Sequence, residues 1–226
     1  MTTRTRPDVV AFDVNETLLD LAPIGAALVE HGQPAEVLPT VFARTLLTGF
    51  AAATVGSWFT FRAAFESSVA QVTGLPSPAC SRVADAFMEM SPHPDVEPAF
   101  RRLTEAGVRV VTLSHGAPGV AEAGLARGGV AALVEQTLTS ESIQAWKPNR
   151  EAYLWAVGVC GVAPEQMALV AAHSWDMLGA GRAGLTTGFT SGRSEKVFAE
   201  VLGAPDVQGA SLVEVVDGLL ALPPHG

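Results

Sequence analysis

Short apolar runs that each end on a polar or acidic cluster, with helices between them, constrain this chain more than any other feature. Residues 8–12 read as a buried strand with Asp13 at its carboxyl end. Residues 108–113 read as a second, closing on Ser114-His115-Gly116, and residues 166–172 as a third, closing on His173-Ser174-Trp175-Asp176. Further strands are expected within 132–138 and at 185–190, and helices at 97–106, 119–127, 150–160, 176–183 and 211–222. Strands alternating with helices imply an α/β fold, a parallel sheet covered by helices on both faces.

The alternation is interrupted once. From 23 to about 95 the pattern is helical: Leu38, Phe42, Leu46 and Leu47 recur at helix spacing, as do Phe61, Phe65, Val69 and Val72. Residues 74–78 (Gly-Leu-Pro-Ser-Pro) break it before a further helix at 79–90. The expected organisation is a core domain of 1–22 and 96–226 with a helical cap, 23–95, inserted after the first strand.

With 226 residues, 48% of them hydrophobic, the chain can bury a sizeable core. A net charge of −9 disfavours nucleic acid as a partner but leaves room for a small anionic substrate held by local positive charge. Charges interrupt the hydrophobic runs, so no membrane span is expected, and residues 1–8 do not read as a signal peptide. Cys80 and Cys160 fit no metal or redox spacing and read as free thiols in a reducing cytoplasm.

Ligands of open parallel sheets bind beyond the carboxyl ends of the strands. Asp13, Thr17, Ser114 and Asp176 fall there, and Lys147 lies in the loop before the 150–160 helix. A carboxylate such as Asp13 can act as a nucleophile. A neighbouring ammonium, Lys147, would keep it ionised. Thr17 and Ser114 can donate hydrogen bonds to Asp13 or to substrate, and Asp176 can orient Lys147, hold a water or bind a metal.

Four segments, in order and over nearly the whole chain, resemble the motifs of the haloacid dehalogenase superfamily: Phe12-Asp13-Val14-Asn15-Glu16-Thr17-Leu18, Thr112-Leu113-Ser114-His115-Gly116, Trp146-Lys147-Pro148 and Trp175-Asp176. The resemblance implies a Rossmann-like core with a cap and Asp13 as covalent nucleophile. Most members are magnesium-dependent phosphotransferases with a second Asp two residues after the nucleophile as general acid. Here that position is Asn15, which cannot act as an acid, and Asp176 is followed by Met177 rather than by another acid. Asp13 and Asp176 would be the metal ligands of a phosphatase acting on a small phosphorylated metabolite. The closer resemblance is to the type II 2-haloacid dehalogenases. These need no cofactor: Asp attacks the halogen-bearing carbon, halide leaves, and water hydrolyses the resulting ester to the 2-hydroxy acid.

That branch assigns further roles. Phe42-Ala43-Arg44-Thr45-Leu46 resembles its cap segment, which makes Arg44 the cation supporting halide departure; on the residues alone Arg44 reads equally as a surface cation on an amphipathic helix. Ser114 would bind the substrate carboxylate and Tyr153 would fix the carboxylates near Lys147. The branch usually has an aromatic residue at Asn15, Gly at Glu16, Asn at His115, and Ser and Asn at Ala171 and His173. These departures fall where the pocket is shaped, so Asn15, His115 and His173 are expected to contact substrate. His173 is either a base for the hydrolytic water or a hydrogen-bonding substitute for the missing Asn. Trp175 is expected beside the substrate, with Trp58, Phe59 and Phe61 as the opposing wall or as cap core. His31, His93 and His225 read as cap, linker and tail residues. Members of the branch are often dimers, so a homodimer is an expected assembly.

Overall fold

A computed structural model describes residues 4–224; His225 lies outside the described residues. Six strands form one all-parallel sheet: β1 (Val9–Phe12), β2 (Arg109–Ser114), β3 (Gln136–Thr139), β4 (Met167–Ala171), β5 (Thr186–Thr190) and β6 (Val207–Gly209), in the order β3-β2-β1-β4-β5-β6. The all-apolar β1 is explained by its place between β2 and β4, with helices over both faces. Val10 and Phe12 point to one face, packing with Val110, Val170, Phe100 and Leu212. Val9 and Ala11 point to the other, with Val111, Leu169, Tyr153 and Met177.

The first face carries α5 (Val96–Glu105) and α9 (Leu212–Leu220), and the second α7 (Arg150–Cys160) and α8 (Ser174–Ala183). α6 (Val120–Arg127) links β2 to β3. Between β1 and β2 the chain forms α1 (Ala22–Glu30), α2 (Leu38–Thr54), α3 (Phe61–Thr73) and α4 (Ser77–Asp85). The Thr60 hydroxyl caps α3 by accepting from Ala63 N at 3.1 Å, and Glu141 reaches across from the β3 side to accept from Phe61 N at 3.0 Å.

The structure moves some boundaries. α8 starts at Ser174 rather than 176, because His173 is the last extended residue, with φ −124°. The three-residue β6 was not anticipated; it follows Asp206, whose carboxylate accepts from both Thr187 N and Thr187 Oγ1 at 2.9 Å and so ties the segment to β5. The expectation that no helix is apolar enough for a membrane span is corrected. Residues 35–54 have the length and a mean hydropathy of 1.3, because Arg44 is the one basic residue amid long apolar stretches. Its Val41, Phe42, Thr45, Gly49 and Ala52 are buried against the rest of the protein.

The sheet order places the site. The chain runs from β1 outward through β2 and β3, then returns to add β4 on the other side of β1. The crevice beyond β1 and β4, where the order reverses, is where open α/β sheets bind ligands. Asp13 follows β1 there and His173 follows β4.

Candidate active site

Asp13 is 5% exposed, and both its oxygens are engaged. Oδ1 accepts from Lys147 Nζ at 2.9 Å, and Oδ2 accepts from Thr17 Oγ1 at 2.8 Å and faces His173 Nδ1 at 3.2 Å. Thr17 Oγ1 in turn accepts from Ala172 N at 2.9 Å, which aims its proton at Asp13.

Lys147 is fully buried and uses all three of its donors: Asp13, the Leu113 carbonyl at 3.0 Å and Asp176 Oδ2 at 2.7 Å. Asn149 Oδ1 accepts from Glu151 N at 3.0 Å, capping α7 and fixing the loop that delivers Lys147. Asp176, in the first turn of α8, takes its second hydrogen bond from Tyr153 Oη at 2.6 Å. Tyr153, the chain's single Tyr, therefore orients Asp176, and Asp176 orients Lys147.

Burial opposes ionisation of Asp13, but Lys147 and His173 overcome it and hold the carboxyl well below the usual carboxylate range. Burial pushes Asp176 the other way, against Lys147. The ammonium stays protonated: burial would lower it, but Asp13 and Asp176 raise it. Of the two carboxylates, Asp13 is thus the one whose ionised form its surroundings favour most and the one bearing the residual exposure. That is the condition a nucleophile needs.

The two histidines take opposite charge states. His173 Nε2 meets Glu16 Oε2 at 2.9 Å, so its ring bridges two carboxylates. Burial would lower its pKa, but the hydrogen bonds to Asp13 and Glu16 push it up to about 10. The resting ring is an imidazolium and has no lone pair with which to act as a base. His115 points Nε2 at the Lys147 carbonyl, 3.2 Å away. Burial and the Lys147 charge lower its pKa to about 3, so it is neutral, with the proton on the nitrogen that faces the carbonyl.

Aromatic rings roof the site. Phe42 on α2 stacks on His173 (6.4 Å between centroids), Phe50 on α2 meets Trp175 edge-on (5.2 Å), and Phe61 on α3 stacks on His115 (6.4 Å). Trp175 also lies beside both histidines, and Lys147 Nζ sits 5.6 Å from its ring centre. Phe59 packs on Trp146, whose Nε1 donates to the Phe59 carbonyl at 3.0 Å. Trp58, half-buried against the apolar core, lines a small cavity with Phe59, Phe61 and His115. Phe42, Phe50 and Trp146 were not expected at the site.

Ser114 ends β2, the strand beside β1, where its Oγ accepts from Gly116 N at 2.6 Å and keeps its own proton to donate. Asn15 is buried, and its Oδ1 has no protein partner among the described residues. Arg44 is not brought to the site. Its position on α2 is exposed, outside the inward arc of Val41, Phe42, Thr45 and Gly49, which corrects the expectation of a halide-side cation there.

Asp13 and Asp176, the two acids a phosphatase would use, face one another across the Lys147 ammonium, which is paired with both. Among the described residues no group of three or more His, Cys, Asp or Glu side chains is arranged to hold a metal.

A family model for haloacid dehalogenase-like hydrolases matches residues 7–184, and the chain belongs to that family. Among curated proteins it is 28% identical over 137 residues to the (S)-2-haloacid dehalogenase of Pseudomonas sp. (strain YL), covering 61% of this chain and 59% of that one. It is 29% identical over 106 residues to (S)-2-haloacid dehalogenase 4A of Burkholderia cepacia, covering 47% and 46%. The matched part thus spans about half to three-fifths of those relatives' length. Among solved structures, the L-2-haloacid dehalogenase of Xanthobacter autotrophicus with chloropropionic acid covalently bound superposes with a TM-score of 0.83 at 20% identity, over 95% of this chain and 99% of that one. A predicted phosphoglycolate phosphatase from Haemophilus somnus superposes with a TM-score of 0.69 at 16% identity, over 94% and 98%. At these identities the likeness is one of fold.

Proposed function

We propose that this protein hydrolyses the carbon–halogen bond of a small 2-haloalkanoic acid to give the 2-hydroxy acid, by way of an ester on Asp13. The observation that carries the reading is the state of Asp13. It is an anion in a nearly dry, aromatic-roofed pocket, held by Lys147, Thr17 and His173. A carboxylate stripped of water is a stronger nucleophile towards carbon, and halide departs as an anion without an acid. The names of the curated relatives agree with this reading.

The residues divide the work. Asp13 attacks; Lys147 and Thr17 hold its two oxygens and stabilise charge on the ester as water adds; Asp176 and Tyr153 keep Lys147 in place. Ser114 binds the substrate carboxylate, and His115, Trp175, Phe42 and Phe61 shape the space for its carbon chain. The cations at Asp13 are Lys147 and His173, and we assign halide stabilisation to their field rather than to Arg44. The helical segment 23–95 serves as a cap that supplies the aromatic roof. The enzyme needs no cofactor, and its buried free thiols, Cys80 and Cys160, suit a reducing cytoplasm. Magnesium-dependent phosphatase activity is not favoured, because Asn15 cannot act as an acid and Asp176 is followed by Met177 rather than by a second acid.

The test is halide release from fluoro-, chloro- and bromo-2-alkanoic acids with EDTA present, alongside phosphate release from an aryl phosphate with magnesium. Halide release that resists EDTA and vanishes in Asp13→Asn is the expected result. Phosphate release alone overturns the reading.

A further inference from the structure

Glu16 is one of two non-glycine residues among those described with a left-handed backbone, at φ 62°. An L side chain disfavours that conformation, and glycine adopts it without penalty. A carboxylate at such a position points to a task for the side chain. Its Oε2 lies 2.9 Å from His173 Nε2, and His173 Nδ1 lies 3.2 Å from Asp13 Oδ2. Glu16 also lines a cavity of about 110 Å³ with Asp20, Leu21, His93 and Arg193. The Asp13 and His173 side chains are 7% and 4% exposed, whereas that of Glu16 is 24% exposed. A continuous polar path therefore leads from the buried nucleophile to the surface.

The reaction needs such a path. Haloacid and water give hydroxy acid, halide and one proton, and the proton arises in a pocket closed by aromatic rings. We propose that Glu16 and His173 are the proton exit of the dehalogenation inferred above: ester formation on Asp13 releases the His173 proton through Glu16 into the Glu16–Asp20–His93–Arg193 cavity, and the neutral His173 then takes a proton from the hydrolytic water. This rests on the dehalogenase reading of the site.

The steps balance. Asp13 forms a carbon–oxygen bond as the carbon–halogen bond breaks with its electron pair, and the carboxylate's negative charge is lost to the halide. His173, now held by one carboxylate instead of two, loses one proton through Glu16 to solvent; the neutral ring settles, by proton exchange with solvent water, as the tautomer protonated on Nε2, which donates to the Glu16 carboxylate and leaves the Nδ1 lone pair facing the ester. Water adds its oxygen to the Asp13 carboxyl carbon and gives one proton to His173 Nδ1. The bond to the substrate oxygen breaks, and the alkoxide takes the remaining proton from the new Asp13 carboxyl. Asp13 ends as the anion and His173 as the imidazolium, and the one proton released per turnover has left through Glu16.

The groups around His173 fit this switch. Asp13, just after β1, and Glu16 in the same loop are the anions that hold it, and burial opposes its charge. Lys147 across Asp13 and the neutral His115 at the end of β2 are the other titratable groups nearby. α2 and α8 present Phe42 and Trp175, and the Ser174 hydroxyl is turned away to Glu195. At the outer end, Arg193 lines the cavity, donates to the Thr17 carbonyl and is ion-paired with Asp95.

Two arms test the proposal. Nitrogen NMR of histidine-labelled protein, with His173 assigned by its absence in His173→Gln, reads the ring directly. His173 is expected doubly protonated from about pH 7 to 9 in the wild type, and neutral over the same range in Asp13→Asn, whose amide stands in for the ester. A ring that stays doubly protonated in Asp13→Asn overturns the proposal whatever the enzyme's substrate. In the second arm, Glu16→Gly keeps the backbone turn without strain and removes the exit. It is expected to give a halide burst of one per subunit, an ester on Asp13 seen by mass spectrometry, and hydrolysis slowed about 100-fold. Halide release by this variant at the wild-type steady rate, without ester, overturns the exit alone. A wild type that releases no halide from any 2-haloacid overturns the parent reading instead.

Discussion

Replacing Lys147 by Met keeps the length of the side chain and removes its charge, which isolates what the ammonium does. Lys147 is fully buried and donates to Asp13, Asp176 and the Leu113 carbonyl. Without it two carboxylates face each other in a pocket that excludes water. Removing one partner of a buried ion pair costs about 3–5 kcal/mol, and in a chain of this size each kcal/mol lowers Tm by about 2–4 °C, so a fall of roughly 10 °C at neutral pH is expected. The pH dependence carries the argument. In the wild type Asp13 is held below its usual range, so its contribution is present above the ordinary carboxylate pKa and lost as pH falls. In Lys147→Met Asp13 keeps His173, but Asp176 loses the cation that opposes its burial, so the variant gains relative stability as pH falls and Asp176 takes up a proton. Thermal melts of both proteins from neutral pH down to about pH 5 should therefore converge. A deficit that stays constant over this range, or none at all, refutes the account of the charge cluster.

Tyr153→Phe leaves Asp176 Oδ1 without its donor; a loss of about 1–3 kcal/mol in denaturant unfolding, with a lower kcat, is the expected outcome. Because His173 is raised from 6.5 to about 10, its pairing is fully present below pH 6.5 and lost as pH rises towards 10, so wild-type Tm should fall over that interval and fall less in Glu16→Gln. Arg44→Ala should leave halide release within about twofold and stability within about 0.5 kcal/mol, as for an exposed side chain; a large kinetic loss shows that Arg44 reaches the site during turnover. Gly179→Ala places a Cβ 2.5 Å from Tyr153 Oη, and should cost about 1–3 kcal/mol and reduce activity by shifting Tyr153 off Asp176.

The strands and their polar ends were legible in the sequence because a strand covered on both faces needs an apolar run, and β1 and β4 are unbroken ones, with β2 apolar apart from Arg109, Thr112 and the terminal Ser114. Asp13, Ser114 and His173-to-Asp176 could be gathered from three separate segments because parallel topology puts strand ends on one edge. Arg44 went astray because the local motif ignored helical phase. With Phe42 facing inward, a residue two positions on points about 200° around the helix, away from the site. The Glu16–His173 pair was missed for a different reason: a positive φ at Glu16 is set by the turn that returns Leu18 and Leu19 amides to the Val14 carbonyl, and Glu itself does not announce it, although the Gly that the resembled branch has there is the residue such a turn favours. The charge of His173 depends on that pair, so its role as base or hydrogen-bond donor stayed open in the sequence. The short β6 escaped because three residues give no periodicity to read.

The covalent role of Asp13 is the central claim, and a single turnover in oxygen-18-labelled water, with enzyme in excess over a 2-haloacid, tests it most directly. Attack by Asp13 followed by hydrolysis at its carboxyl carbon predicts that the hydroxy acid carries an unlabelled oxygen taken from Asp13, and that mass spectrometry finds the label in the Asp13 peptide. Label in the hydroxy acid, with an unlabelled Asp13 peptide, would contradict the account, because water would then have attacked the substrate carbon itself.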